Sequence, residues 1–110
     1  MKGSNLGEFE ELILLTVASL GTDAYAVTVK DELETRANRK TNISAIHSSL
    51  YRLEDKEFLT SEFGGATNKR GGKKKRFFKV TNAGFAALQE NKNLRENFWK
   101  TIPQLSFSHI

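Results

Sequence analysis

Between Lys69 and Lys79 the chain places seven cations, Lys69, Arg70, Lys73, Lys74, Lys75, Arg76 and Lys79, with no acidic residue among them. Side chains of that kind at that density do no covalent chemistry; they hold anions, above all polyanions. The chain carries 17 Lys and Arg against 13 Asp and Glu. Without the seven, ten bases face 13 acids, a balance of −3. The protein is thus a mildly acidic body with one concentrated positive element. A second group lies upstream, where Asn42, Ser44, His47, Ser48, Tyr51 and Arg52 offer hydroxyl, imidazole, amide and guanidinium groups within eleven residues. Neither group resembles a catalytic constellation. There is no cysteine, the two histidines are His47 and the distant His109, and no nucleophile or carboxylate pair stands beside a plausible base. Thiolate chemistry and cysteine-based metal sites are excluded. An enzyme is disfavoured, and no cofactor or metal is expected.

The elements that must carry these groups follow from periodicity. Phe9, Leu12, Ile13, Val17 and Leu20 keep helical spacing, while Leu14, Leu15 and Ala18 make the same helix apolar on a second side. A helix buried on two sides in a chain of 110 residues suggests a second subunit. Asn5 is the expected cap, with Glu8 three residues on, and Gly21 the expected stop. Thr22 or Asp23 should cap a second helix over roughly 24–38, with Tyr25, Val29 and Leu33 on one stripe. A third helix should start at Asn42, with Ile46, Leu50 and Leu53 turned inward. Ser44, Ser48, Tyr51 and Asp55 then point outward, and His47 and Arg52 lie on the flanks. Arg52 could clamp a phosphate or pair with Glu54, Asp55 or Glu57. The period next falls to two: 59–63 and 76–80 read as strands joined by a loop with two Gly-Gly pairs. Thr81 or Asn82 should cap a last helix bearing Phe85, Leu88, Leu94, Phe98, Trp99 and Ile102, limited by Pro103.

The resulting fold class is mainly α with a small β-hairpin wing. It is a winged helix-turn-helix over 1–80 with an added C-terminal dimerisation helix and tail over 81–110, together one structural unit. A slim third helix with polar groups on its N-terminal half suits a major groove, and a basic hairpin suits phosphates. The N-terminus does not have the form of a signal peptide and no apolar run approaches membrane-spanning length. A cytoplasmic protein without a membrane partner is therefore expected.

Three segments also carry a resemblance. "TNISAIHSSLYRLEDKEFLTSEFG" resembles the recognition-helix and first wing-strand motif of PadR-like transcriptional regulators. "GGKKKRFFKVTNAG" is similar to that family's second signature, and "LGEFEELILLTVASLGTDAYA" to its first helix and the turn that follows. The chain departs from the pattern where His47 stands for a common Tyr, Ser44 for a common Gly, and Phe58 for the Gly that usually precedes the wing strand. The resemblance implies a short-tailed, homodimeric bacterial regulator, usually a repressor, on a pseudo-palindromic operator in double-stranded DNA. The recognition helix (about 42–56) and wing (about 59–80) would place Asn42, Ser44, His47, Ser48, Tyr51, Arg52, Lys69, Arg70, Lys73, Lys74, Lys75 and Arg76 at the DNA. The first and last helices would form the dimer through Phe9, Leu14, Leu15, Leu88, Leu94, Phe98, Trp99 and Ile102. It further implies that Trp99 could wall a site for a planar hydrophobic effector between subunits, although dimer packing is the simpler role for Phe98 and Trp99. The alternative is a winged-helix module that binds RNA or a protein partner without reading an operator.

Overall fold

The computed structural model describes residues 6–64 and 74–103. Four helices and one hairpin follow in the order α1 (Glu8–Leu20), a 3₁₀ turn (Gly21–Asp23), α2 (Ala26–Arg36), α3 (Ile43–Asp55), β1 (Leu59–Gly64), β2 (Lys75–Val80) and α4 (Asn82–Lys100). The two strands are antiparallel, with Leu59 opposite Val80 and Gly64 opposite Lys75. This is the three-helix-plus-wing order with an appended helix that the sequence predicts.

One core holds the first three helices to the wing. Ile13, Leu14 and Val17 of α1, Val29 and Leu33 of α2, and Ile46, Leu50 and Leu53 of α3 are buried completely or nearly so. Phe58, Leu59, Phe78 and Val80 close it from the hairpin, and Ala87 from α4. Burial of each large aliphatic side chain contributes about 1.5–3 kcal/mol, so the core face of α3 is a principal reason the helix docks as it does. Leu14 is fully buried within this core. The second apolar side of α1 is therefore filled from within the same chain at this point, which removes Leu14 from the expected dimer surface. Phe9 and Leu88 also lean on the core, half-buried.

Two helix starts differ from expectation. Gly7 occupies the capping position of α1, and its N–H donates to Glu10 Oε1 at 3.3 Å. That replaces the expected Asn5–Glu8 arrangement, whose Asn5 lies outside the described residues. Helix α2 begins two residues later than the periodicity predicts. Ala24 and Tyr25 are extended, and the Ala24 carbonyl accepts the Phe78 N–H at 2.8 Å. The chain before α2 thus serves as an edge partner of β2, which withholds those residues from the helix. Neither Thr22 nor Asp23 caps α2; Thr28 Oγ1 accepts the Tyr25 N–H instead.

The other ends follow known chemistry. Gly21 stops α1 at φ 62°. The α3–β1 turn is a Schellman closure, with Phe58 N–H to Leu53 O at 2.9 Å and Glu57 N–H to Glu54 O at 2.8 Å. It puts Glu57, a residue with a Cβ, at φ 69°. Phe58 itself turns into the core, so the bend is taken by the residue before it. Thr81 then bolts α4 onto this turn: its N–H donates to Phe58 O, its hydroxyl donates to Glu57 O, and its Oγ1 caps Gly84 N–H. Beyond Asn91, α4 leaves the core and every residue to Lys100 is exposed. The described chain is accordingly elongated, 62 × 33 × 21 Å.

Candidate nucleic-acid interface

Helix α3 is amphipathic, and its outward face is set by the burial of Ile46, Ser49, Leu50 and Leu53. Asn42 caps it, Oδ1 accepting Ala45 N–H at 2.8 Å. Ser44, Ser48 and Tyr51 are exposed, as the wheel predicts. His47 is half-buried, stacked on Tyr51 with 5.7 Å between ring centroids. Its Nδ1 is buried and makes no hydrogen bond with the described residues.

Arg52 is tied to a residue that sequence distance hides. Its Nε donates to Glu10 Oε2 of α1 at 3.0 Å, and Lys56 Nζ donates to Glu10 Oε1 at 2.9 Å. None of the expected partners Glu54, Asp55 or Glu57 is involved in that contact. Glu10 is 9% exposed. Burial alone would push its carboxyl up, but hydrogen bonds from Lys56, Arg52 and the Gly7 N–H outweigh it and hold the group below its ordinary value of 4.5. Arg52 retains an exposed flank, so one edge of its guanidinium serves the fold and the other faces solvent.

Arg76 is more fully committed. Its Nη2 donates to Glu54 Oε1 at 2.9 Å and its Nε to Ser61 Oγ at 3.0 Å, while Ser61 Oγ donates to Glu54 Oε2 at 2.7 Å. The guanidinium also lies 4.9 Å from the Tyr51 ring centroid. Arg76 therefore fastens β2 to β1 and α3, and fixes the wing beside the polar face of the third helix. Arg76 thus has a structural role in addition to the phosphate contact expected of it. Lys74 and Lys75 are exposed at the loop end of the wing, opposite the Leu59–Val80 end that joins the core. Lys75 Nζ sits 4.6 Å above the Tyr25 ring centroid, and Tyr25 in turn meets Phe77 edge-on at 5.4 Å. Lys69, Arg70 and Lys73 lie outside the described residues.

Three participants escape the sequence reading. Glu10 carries no signal beyond its charge. Tyr25 fits a helix stripe by spacing, yet it is the platform for Lys75. Ile43 is 39% exposed at the first position of α3, a place on the flank that its spacing from Ile46 could have shown. On α4, Leu94, Phe98 and Trp99 are exposed at 57, 69 and 58%, and Leu15 of α1 and Phe85 of α4 are exposed as well. Among the described residues no cluster of His, Asp or Glu could hold a metal, and no helix is long and apolar enough to cross a membrane.

No protein-family model matches the sequence, and no curated protein matches it. Solved structures do. A PadR-like transcription factor from Bacteroides fragilis is 22% identical, superposes with a TM-score of 0.72, and shares 84% of each chain. A PadR-like transcriptional regulator from Bacillus cereus is 18% identical over 91% of this chain and 92% of that one, with a TM-score of 0.70. A PadR family transcription regulator from Clostridium difficile is 15% identical over 88 and 97%, with a TM-score of 0.69. At such identities the likeness is one of architecture, and it agrees with the element order and the wing: the chain has the winged-helix fold of PadR-like transcriptional regulators.

Proposed function

We propose that the protein is a transcriptional regulator that binds double-stranded DNA as a homodimer, most simply as a repressor on a pseudo-palindromic operator. It binds and does not catalyse. The observation that carries this reading is a juxtaposition. The exposed hydroxyl face of α3, Ser44 and Ser48 with Tyr51, stands beside a wing that Arg76 locks in place and that leads through Lys74 and Lys75 into the basic run. In this reading the N-terminal half of α3 enters the major groove. Lys74 and Lys75, with Lys69, Arg70 and Lys73 of the loop, neutralise phosphates. The outer edge of Arg52 adds a further phosphate contact. The subunits pair through Leu15, Leu94, Phe98, Trp99 and Ile102, chiefly on the one element that leaves its own core. Two recognition helices then lie about one DNA turn apart, roughly 34 Å. Phe98 and Trp99 pack the dimer; quenching of Trp99 by a planar cationic dye would add an effector site between the subunits.

Fluorescence anisotropy on DNA from the gene's own upstream region, against a shuffled duplex, tests this at low and near-physiological salt. Preference for the native duplex should survive the higher salt. Replacing Lys73, Lys74 and Lys75 with Ala should weaken binding and make the salt dependence shallower, by about 0.9 in log–log slope for each phosphate no longer neutralised. Equal binding to both duplexes that collapses with salt would refute sequence reading by α3. An unchanged affinity in the triple variant would refute the wing's role and favour a protein-docking module.

A further inference from the structure

We infer that Ile43 reads a thymine methyl group in the major groove, and that this apolar contact, with the serine hydroxyls beside it, replaces bidentate purine recognition in the first two turns of α3. The inference rests on the DNA-binding reading above and specifies how that site discriminates. Ile43 is the first residue of α3, at the end of the helix that enters a groove first. The other large aliphatics of the helix, Ile46, Leu50 and Leu53, are 0% exposed, whereas Ile43 is 39% exposed. It lies three residues from Ile46, about 60° around the helix from the core direction. There it heads the flank that continues one turn at a time through His47 to Tyr51, the two rings that stack.

A single exposed aliphatic is ordinary on a protein surface. What distinguishes this one is the inventory around it. From Ile43 to Tyr51 the helix has no Arg, Lys, Asn or Gln. Those are the side chains that grip guanine or adenine through two hydrogen bonds. Asn42 is the nearest amide, and its Oδ1 is spent on the Ala45 N–H. It could pair with both edges of adenine only by uncapping the helix. The remaining groups are two serine hydroxyls, which accept several bases, the stacked His47 imidazole and Tyr51 hydroxyl, which offer single hydrogen bonds, and the methyl groups of Ile43. In the major groove the feature an aliphatic side chain can recognise is the C5-methyl of thymine. Cytosine lacks it, and so does uracil, which is otherwise the same base.

That identity supplies the test. A duplex is selected from a random-sequence pool by the wild-type protein, and each thymine is then replaced singly by deoxyuridine. At one thymine in each half-site the replacement should weaken binding about fourfold, the value of one buried methyl, and about 16-fold when both half-sites are changed. Ile43→Ala should bind the thymine and uracil duplexes equally, with its salt slope unchanged because every phosphate stays neutralised. A selected duplex in which no uracil replacement matters would overturn the inference and leave the DNA-binding reading intact. So would an Ile43→Ala protein that still prefers thymine at the same position. Failure to enrich any duplex would overturn both.

Discussion

Gly84 sits at the third position of α4, and two general effects oppose each other there. Replacing a helical glycine with alanine ordinarily stabilises by about 0.5–1 kcal/mol, because the unfolded chain loses freedom. At this position the added Cβ would collide with the Phe58 carbonyl oxygen and come within 2.8 Å of Val80 Cγ1 and 3.1 Å of the Phe58 carbonyl carbon. A flexible side chain could move aside, but the nearest atom belongs to the backbone of the Schellman turn. That oxygen also accepts the Thr81 N–H at 3.0 Å, so moving it loosens the bond that seats α4. Overpacking of this kind costs about 1–3 kcal/mol, and weakening the seat adds about 1 kcal/mol. Steric cost wins, and Gly84→Ala should destabilise by about 1–3 kcal/mol net, lowering Tm by on the order of 5–20 °C. Thermal unfolding by circular dichroism, at matched protein concentration so that any self-association weighs equally on both proteins, reads the shift directly. A Tm equal to or above the wild-type value would refute the close approach of α4 to the α3–β1 turn.

Two further substitutions probe the same framework. Glu57→Gly should stabilise by about 0.5–1 kcal/mol in urea unfolding, since glycine adopts the φ of 69° without the strain a Cβ brings and the backbone bond to Thr81 is kept. An unchanged or lower urea midpoint would refute strain at that residue. Glu10→Gln should cost about 1–2 kcal/mol at pH 7, a figure held down by the solvent that reaches Arg52 and Lys56. Because the folded Glu10 carboxyl lies below 4.5, its stabilisation is complete above that pH and is lost as pH falls through the folded value. Wild-type Tm should therefore drop more steeply than that of Glu10→Gln between about pH 5 and pH 3, and parallel curves would refute the ion cluster.

What can be read in the sequence is whatever local geometry enforces. Asn42 as the cap of α3, Ile46, Leu50 and Leu53 as its core face, Gly21 as the stop of α1 and Thr81 as the cap of α4 all depend on neighbours within a turn or two. The hairpin strands end within one residue of their predicted loop ends, because alternation and the glycine pairs bound them. What cannot be read is each choice settled by a distant partner. The start of α2 is decided by Phe78, more than fifty residues away, which takes the Ala24 carbonyl. Leu14 is as apolar as Leu15, and only the tertiary packing around α1 separates the buried one from the exposed one. The cations are the hardest to place. Arg52 has three nearby carboxylates to choose from and pairs with a fourth, and Arg76 belongs to a basic run by composition but to Glu54 and Ser61 by contact.

The opening turn of α1 carries three carboxylates that reach three different parts of the molecule. Glu8 holds Arg39 of the α2–α3 connection, Glu10 holds Arg52 and Lys56 of α3, and Glu11 holds Arg95 of α4 at 2.8 Å. Apolar packing is non-directional, and leucines and isoleucines alone would let one helix slide past another by a fraction of a turn at little cost. Four ion pairs aimed along three lines do not allow that, since any slip or roll of α1 lengthens at least one of them. The turn thus acts as a vernier for the whole assembly: the core sets how tightly the helices hold, and these carboxylates set where along one another they stop. Since α3 and α4 are both indexed to it, the reach of the polar helix relative to the projecting one is fixed within a single chain.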